Sequence, residues 1–322
     1  MGALLEIDGL SVDFAGSPRP IHALRDVSFS IERGRIVGLV GESGSGKSTL
    51  SLAVLRLLAP SARIVSGTIR FGGADLLTLS DEAMRALRGS RIAMVFQDPM
   101  STLNPVLSVG AQMVDVQFRD TDLSHKQKRA RAVSLLARVG IPDPERRIDD
   151  FPHQFSGGMR QRISIAMALL GQPDLLIADE PTTALDVTLE AQILDLLRDL
   201  RRDFAGAILL VSHHLGVVAE FCDEVVVLYA GEMVEQAPVG ELFANPRHPY
   251  TRALLECDPG RLPADARSFP TIPGRLPDLG APRTQCIFAA RCALAIERCR
   301  AEPPAMSDIA PGHRASCHLL GG

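Results

Sequence analysis

The 322-residue sequence lacks the features that would assign it to several broad classes at once. Its apolar runs, such as ISIAMALLG, DLLIAD and DEVVVLYAG, are all far shorter than the ~20 residues a helix needs to cross a bilayer. The N-terminal MGALLEID has neither a basic n-region nor a long apolar h-region, so the chain is expected to remain in the cytoplasm. No sign of charge dominates: 34 Lys and Arg against 38 Asp and Glu give a net charge of −4. No broad cationic field therefore points to nucleic acid or to an anionic membrane surface. Aromatics are scarce, at 4% of residues, and the basic cluster Lys126, Lys128, Arg129 and Arg131 has none interleaved. That cluster reads as a solvated helix face and not as a nucleic-acid patch. No heptad run is present, which excludes a long coiled coil.

What is present is organised around Arg35 to Thr49, RIVGLVGESGSGKST, the sequence form of a strand, a phosphate loop and a helix. Gly41, Gly44 and Gly46 let consecutive N–H groups converge on phosphate oxygens, and the helix starting near Lys47 adds the positive end of its dipole. Lys47 is expected to reach the β and γ phosphates, and Ser48 to place its hydroxyl on a bridging Mg²⁺. Glu42, Ser43, Ser45 and Thr49 complete the loop. The length allows two or at most three domains.

Before the loop, Leu4 to Asp8, Leu10 to Phe14 and Val27 to Ile31 alternate as short strands, as does Thr68 to Phe71 after it, which predicts a small antiparallel sheet. Phe14, at a strand end, is either core or a platform for a nucleotide base. Arg91 to Phe96 is a buried strand that delivers Gln97, whose amide suits either Mg²⁺ and the attacking water or plain solvent. Residues 98–155 change to helical patterning, with helices over Val109 to Phe118 and Ser124 to Val139. FSGGMRQR follows, placing Ser156 as an N-cap with Gly157 and Gly158 behind it, a second helix start open to an anion. Leu175 to Glu180, LLIADE, ends a buried strand in two carboxylates: Asp179 for the outer shell of Mg²⁺ and Glu180 to polarise water. PTTALD, an amphipathic helix over Leu189 to Asp203, and a strand ending before His213 come next.

In this order the elements resemble the nucleotide-binding subunit of ABC transporters, over about residues 4–245. The resemblance makes Gly41 to Thr49 Walker A, Gln97 the Q-loop, Ser156 to Gln161 the signature, Asp179 and Glu180 Walker B, Asp186 the D-loop and His213 the switch histidine. The signature departs from its commonest form at Met159, leaving Ser156 and Gly158 intact. His213 is chosen over His214 because it follows directly on the strand end. The implied fold is an α/β P-loop NTPase: a RecA-like parallel core, an N-terminal antiparallel β subdomain and a helical subdomain inserted at about 98–155. The implied activity is hydrolysis of ATP with Mg²⁺, catalysed by Glu180, His213 and Gln97. The implied assembly is a head-to-tail dimer with an identical or paralogous cassette, in which the signature helix of one subunit serves the ATP held by the other.

Residues 246–322 are rich in Pro and Gly and predict a loop-rich appendage to the cassette of residues 1–245. NPRHPYTRALL, IPGRLPDL and QCIFAARCALAIERC, with FQDPMSTLNP at Phe96 to Pro105, resemble the oligopeptide and dipeptide importer ATPases; nickel importers use related cassettes. That resemblance implies two transmembrane permease subunits, an extracytoplasmic peptide-binding protein acting through them, and a peripheral place on the cytoplasmic face of the cell membrane. It also implies that residues 98–155 receive a cytoplasmic helix of a permease. A soluble ABC ATPase working on DNA or ribosomes is the contrasting class; it normally needs two cassettes or long coiled coils, and no nucleic-acid partner is expected. Four of six cysteines, Cys286, Cys292, Cys299 and Cys317, have the spacing C-x5-C-x6-C-x17-C. Four thiolates suit a [4Fe-4S] cluster or structural zinc, reduced thiols being the bland alternative; the tight pair usual for zinc is missing. The importer resemblance points to the cluster.

Overall fold

The computed structural model describes residues 2–16, 18–98, 102–181, 206–258, 260 and 270–321. The chain divides into two compact units, Met1–Leu79 with Leu210–Gly322, and Ser80–Leu209.

The first unit contains a four-stranded antiparallel sheet in the order β2-β1-β4-β5, made of β1 (Leu5–Phe14), β2 (Ile21–Ile31), β4 (Ala62–Phe71) and β5 (Ala74–Asp75). Two separate strands are expected before Phe14; one strand runs through both. Leu5 and Ile7 are buried, then Leu10 and Val12, so the alternation slips by one residue between Ile7 and Leu10. The register against β2 shifts at the same place. A bulge over Asp8–Gly9 thus restores the apolar face, and the turn-like pair kinks the strand without ending it.

The same unit holds β3 (Ile36–Val40), every residue of it buried, parallel to β9 (Glu224–Tyr229). A strand covered on both faces is apolar throughout, which is why IVGLV shows no alternation. β10 (Glu232–Pro238) runs antiparallel to β9, β12 (His313–Ala315) antiparallel to β10, and β11 (Ser307–Ala310) closes the row. The C-terminal segment therefore supplies two strands to the sheet that carries β3, an organisation beyond the loop-rich appendage expected from its composition.

In the second unit β6 (Ile92–Val95) pairs in parallel with β7 (Leu175–Asp179), beside β8 (Ala207–Val211), with which the chain leaves the unit. Helices Val109–Asp115, His125–Arg138, Pro144–Arg147 and Gly157–Leu170 enclose a core that includes Val109, Met113, Leu136, Ile148, Phe155, Ile163 and Leu170. The helix from His125 starts at a capping box, in which Ser124 and Gln127 satisfy each other's backbone N–H groups. The cations Arg129 and Arg131 on this helix are engaged with Asp149 and Asp120.

Candidate functional site

The phosphate loop leaves β3 at Gly41 and enters the helix Lys47–Val54, with Gly41, Gly44 and Gly46 at φ of 151°, 78° and 102°. Side chains are excluded by more than the dihedrals. A Cβ on Gly41 would lie 2.1 Å from the Leu228 carbonyl oxygen, and one on Gly46 would lie 2.7 Å from that of Ala23. β9 and β2 thus press the loop backbone into shape. No side chain caps the N-terminus of the helix, so its first-turn N–H groups are not taken by a cap at Gly46. Lys47 is only 6% exposed, and its ammonium donates to the carbonyls of Gly41 at 2.8 Å and Glu42 at 3.1 Å. Ser43, Gly44 and Ser48 are exposed, Ser45 is buried, and Glu42 and Thr49 are half-buried. A cradle of uncapped N–H groups, a cation drawn over it and an exposed hydroxyl fits a polyphosphate with its divalent cation. Phe14 stands at the end of β1, half-buried and paired with Ile21 and Ala62. His213 follows β8, its ring centroid 4.2 Å from that of His214.

In the second unit Asp179 ends β7 and is buried, and Glu180 turns out of the strand at φ 48°. A left-handed conformation at a non-glycine residue costs on the order of 1 kcal/mol and is held only where the surroundings demand it. Its carboxylate Oε2 accepts a 2.9 Å hydrogen bond from Gln97 Nε2, so the structure brings together two candidates 83 residues apart. Ser156 is exposed and caps the helix Gly157–Leu170, its Oγ accepting from the N–H of Met159 at 3.3 Å. Gly157 is exposed at the helix start and Gly158 buried beneath it. Asp186 and the expected helix over 189–203 lie outside the described residues.

Residues 24–183 match the family model described as ABC transporter, and residues 234–299 match that of the oligopeptide/dipeptide transporter C-terminal region. A probable peptide ABC transporter ATP-binding protein of Sinorhizobium fredii is 49% identical over 98% of this chain and 94% of its own. The dipeptide transport ATP-binding protein DppD of Escherichia coli is 44% identical over 98% of this chain and 96% of its own. The chain belongs to the ABC transporter ATPase family, in its oligopeptide/dipeptide branch. Solved cassettes agree on the fold. The ATP-binding cassette MJ0796, a dimer bound to ADP and Pi, matches with a TM-score of 0.66 at 26% identity over 73% of this chain and 98% of its own. The cassette cbiO1 of Clostridium perfringens matches with a TM-score of 0.65 at 31% identity over 76% of this chain and 92% of its own. Among the described residues of this ABC ATPase, no helix is long and apolar enough to cross a membrane.

The C-terminal region of the cassette carries polar structure that the sequence did not announce. Glu235, in the middle of β10, is 0% exposed; its Oε1 accepts from the N–H of Arg247 at 2.7 Å and lies 2.8 Å from Nε2 of His313, while Oε2 accepts from the N–H of His248 at 2.9 Å. Burial in turn pushes His248 down to about 3, and the neutral ring uses Nδ1 to accept from the N–H of Tyr250. Arg291, between two of the clustered cysteines in sequence, forms a two-pronged ion pair with Glu42 of the phosphate loop, and that pairing raises its already high pKa. Its signal in the sequence was a lone arginine, with no spacing to flag it.

The four cysteines expected to bind metal are free thiols, and Cys286 and Cys299 are joined by a backbone hydrogen bond of 2.9 Å. Among the described residues no group of three or more His, Cys, Asp or Glu is placed to hold a metal ion. Burial pushes Cys286 up to about 11 and raises Cys292 and Cys317. The expected [4Fe-4S] ligand set is therefore not found as a formed metal site.

Proposed function

We propose that this protein is the ATP-hydrolysing subunit that powers import of di- and oligopeptides through a membrane ABC transporter. The observation that carries the reading is the match over nearly the whole chain to peptide and dipeptide transport ATP-binding proteins, together with a C-terminal region of the oligopeptide/dipeptide type.

In this reading Gly41 to Thr49 hold the phosphates of ATP, with Lys47 releasing its hold on the loop carbonyls to meet them. Ser48, Gln97 and Asp179 are the residues that would hold Mg²⁺, which when bound would neutralise charge on the β and γ phosphates. Glu180 orients and polarises the attacking water, with the Gln97 amide steadying its carboxylate, and His213 stabilises the γ-phosphate. Phe14 stacks on the base. Ser156, Gly157 and Gly158 serve the nucleotide of a second ATPase subunit, with Asp186 beside that interface. The dimeric MJ0796 cassette supports such pairing. Residues 1–245 form the cassette, with residues 98–155 taking a permease helix, and residues 246–322 the appendage. The partners are a second, identical or paralogous cassette, two permease subunits and, through them, a peptide-binding protein, which keeps this chain at the cytoplasmic face of the membrane. A [4Fe-4S] cluster on Cys286, Cys292, Cys299 and Cys317 is the finer reading of the tail, supported by the ligand count of four cysteines in one C-terminal segment.

The test is Glu180→Gln in the assembled transporter. Uptake of a labelled dipeptide and ATP turnover should fall by at least about a hundredfold, with nucleotide binding retained. Peptide uptake that continues at the normal rate would refute the assignment.

A further inference from the structure

The phosphate loop contains an oddity for a site that binds a polyanion: its second residue, Glu42, carries a carboxylate. The structure shows what compensates it. Arg291 reaches the loop from the C-terminal region, its Nη1 donating to Glu42 Oε2 at 2.7 Å and its Nη2 to Oε1 at 3.1 Å. The Arg291 side chain is 4% exposed, so the pair is shielded from solvent on the guanidinium side. The remaining donors are engaged as well, Nε on the carbonyl of Pro273 and Nη2 also on that of Ile272, both at 2.9 Å, and Nη1 also on the hydroxyl of Tyr229 at 3.3 Å. The fork is thus aimed at Glu42 before any ligand arrives. Glu42 is held at its backbone as well, its N–H donating to the hydroxyl of Tyr250 at 2.9 Å and its carbonyl accepting from Lys47.

We infer that Arg291 is a positioning residue of the phosphate loop, cancelling the Glu42 carboxylate so that the loop accepts a polyphosphate, and that the C-terminal region thereby sets nucleotide affinity. This rests on reading the loop as the ATP cradle. Its physical content is a sign. An ordinary structural contact, once lost, is not regained by removing its partner, whereas a compensated charge is: with Arg291 gone, Glu42 opposes the phosphates, and neutralising Glu42 lifts the opposition.

The experiment measures affinity of the full chain for a non-hydrolysable MgATP analogue by calorimetric titration. Arg291→Gln, which keeps a donor near the Nε position for the Pro273 carbonyl but loses the charge, should weaken binding about tenfold, equivalent to about 1.4 kcal/mol. Adding Glu42→Gln to that variant should restore affinity to within about threefold of the original, and Arg291→Lys, which keeps the charge, should stay within about threefold. Unchanged affinity in Arg291→Gln, or a double variant no better than it, overturns the inference. If Arg291→Gln does not fold, Glu42→Gln alone carries the test: it leaves an uncompensated cation beside the loop and should bind the analogue severalfold tighter, and no tightening overturns the proposal. Failure of the unaltered protein to bind the analogue would bring down the ATP reading as well, whereas normal binding there with no loss in Arg291→Gln brings down this inference alone.

Discussion

Replacing Glu235 with alanine should destabilise the first unit by about 3–5 kcal/mol, the range for removing one partner from a buried charged network. The magnitude follows from what the carboxylate holds. It is 0% exposed, yet it satisfies two backbone N–H groups, of Arg247 and His248, and the Nε2 of His313. Each hydrogen bond to a charged acceptor contributes ~1.5–3 kcal/mol, and the three donors left behind would be buried without an acceptor. Water entering the vacated space recovers part of the loss, which keeps the total below the simple sum. Glu235→Gln should cost less, about 1–3 kcal/mol, because its oxygen can still take the Arg247 N–H and the His313 ring nitrogen while its NH₂ faces the N–H of His248. The assay exploits a scarcity. The chain has no tryptophan and only two tyrosines, and both, Tyr229 and Tyr250, are fully buried in this unit. Tyrosine emission during urea unfolding therefore reports on this unit alone. Glu235→Ala should lower the urea midpoint with little change in slope and move the thermal midpoint down by about 10 °C. A midpoint unchanged in Glu235→Ala would show that the network does not hold the C-terminal strands.

Lys47→Ala should weaken MgATP binding by at least about tenfold in a titration, since a charge-assisted contact to phosphate is lost; equal affinity would tell against the loop as the nucleotide site. Protein purified without oxygen should contain iron and acid-labile sulfide and absorb in the visible, and Cys286→Ser should abolish both; stoichiometric zinc, or no metal, would eliminate the cluster. His248 is held neutral by burial at about 3 when folded, so between that value and the ordinary ~6.5 of the unfolded chain only the unfolded state takes up a proton. Stability of the unit should thus be full above about pH 7 and fall by about 2 kcal/mol on going to about pH 5, and His248→Asn should flatten that slope. An unchanged slope in that variant would assign the acid sensitivity elsewhere.

How legible a feature was depended on the distance in sequence over which it is made. The phosphate loop and the caps at Ser124 and Ser156 are local: strand, glycines and hydroxyl-bearing residue lie within a few positions of the groups they serve, so periodicity and spacing suffice. The bulge in β1 is hidden in the sequence because Asp8–Gly9 is equally good as a turn; only pairing with β2 and β4 on both sides shows that the strand continues. The attachment of the C-terminal region was not legible at all. The contact of Glu235 with His313 spans 78 residues and that of Glu42 with Arg291 spans 249, and neither residue type at either end is unusual for a surface. A buried glutamate inside EMVEQAP reads as the polar half of an alternating strand until the second cover arrives.

The C-terminal region and the phosphate loop support each other through the same few groups. A segment this rich in Pro and Gly can bury little apolar surface by itself, so its order has to come from what it packs on. What it packs on is β9 and the loop: Phe288 lies with its ring centroid 5.1 Å from that of Tyr229 on β9, and Tyr250, 5.4 Å from Phe288 within the C-terminal segment, accepts the N–H of Glu42 on its hydroxyl. Arg25, on β2, donates to the carbonyls of Leu279 and Ala281 and fixes the strand's outer side in the same way. The polar groups among these, Tyr250 and Arg25, each bond to a backbone group on the other side of the contact. Linkage then runs both ways: whatever orders the appendage favours the loop geometry that receives phosphate, and phosphate in the loop favours the ordered appendage by the same free energy.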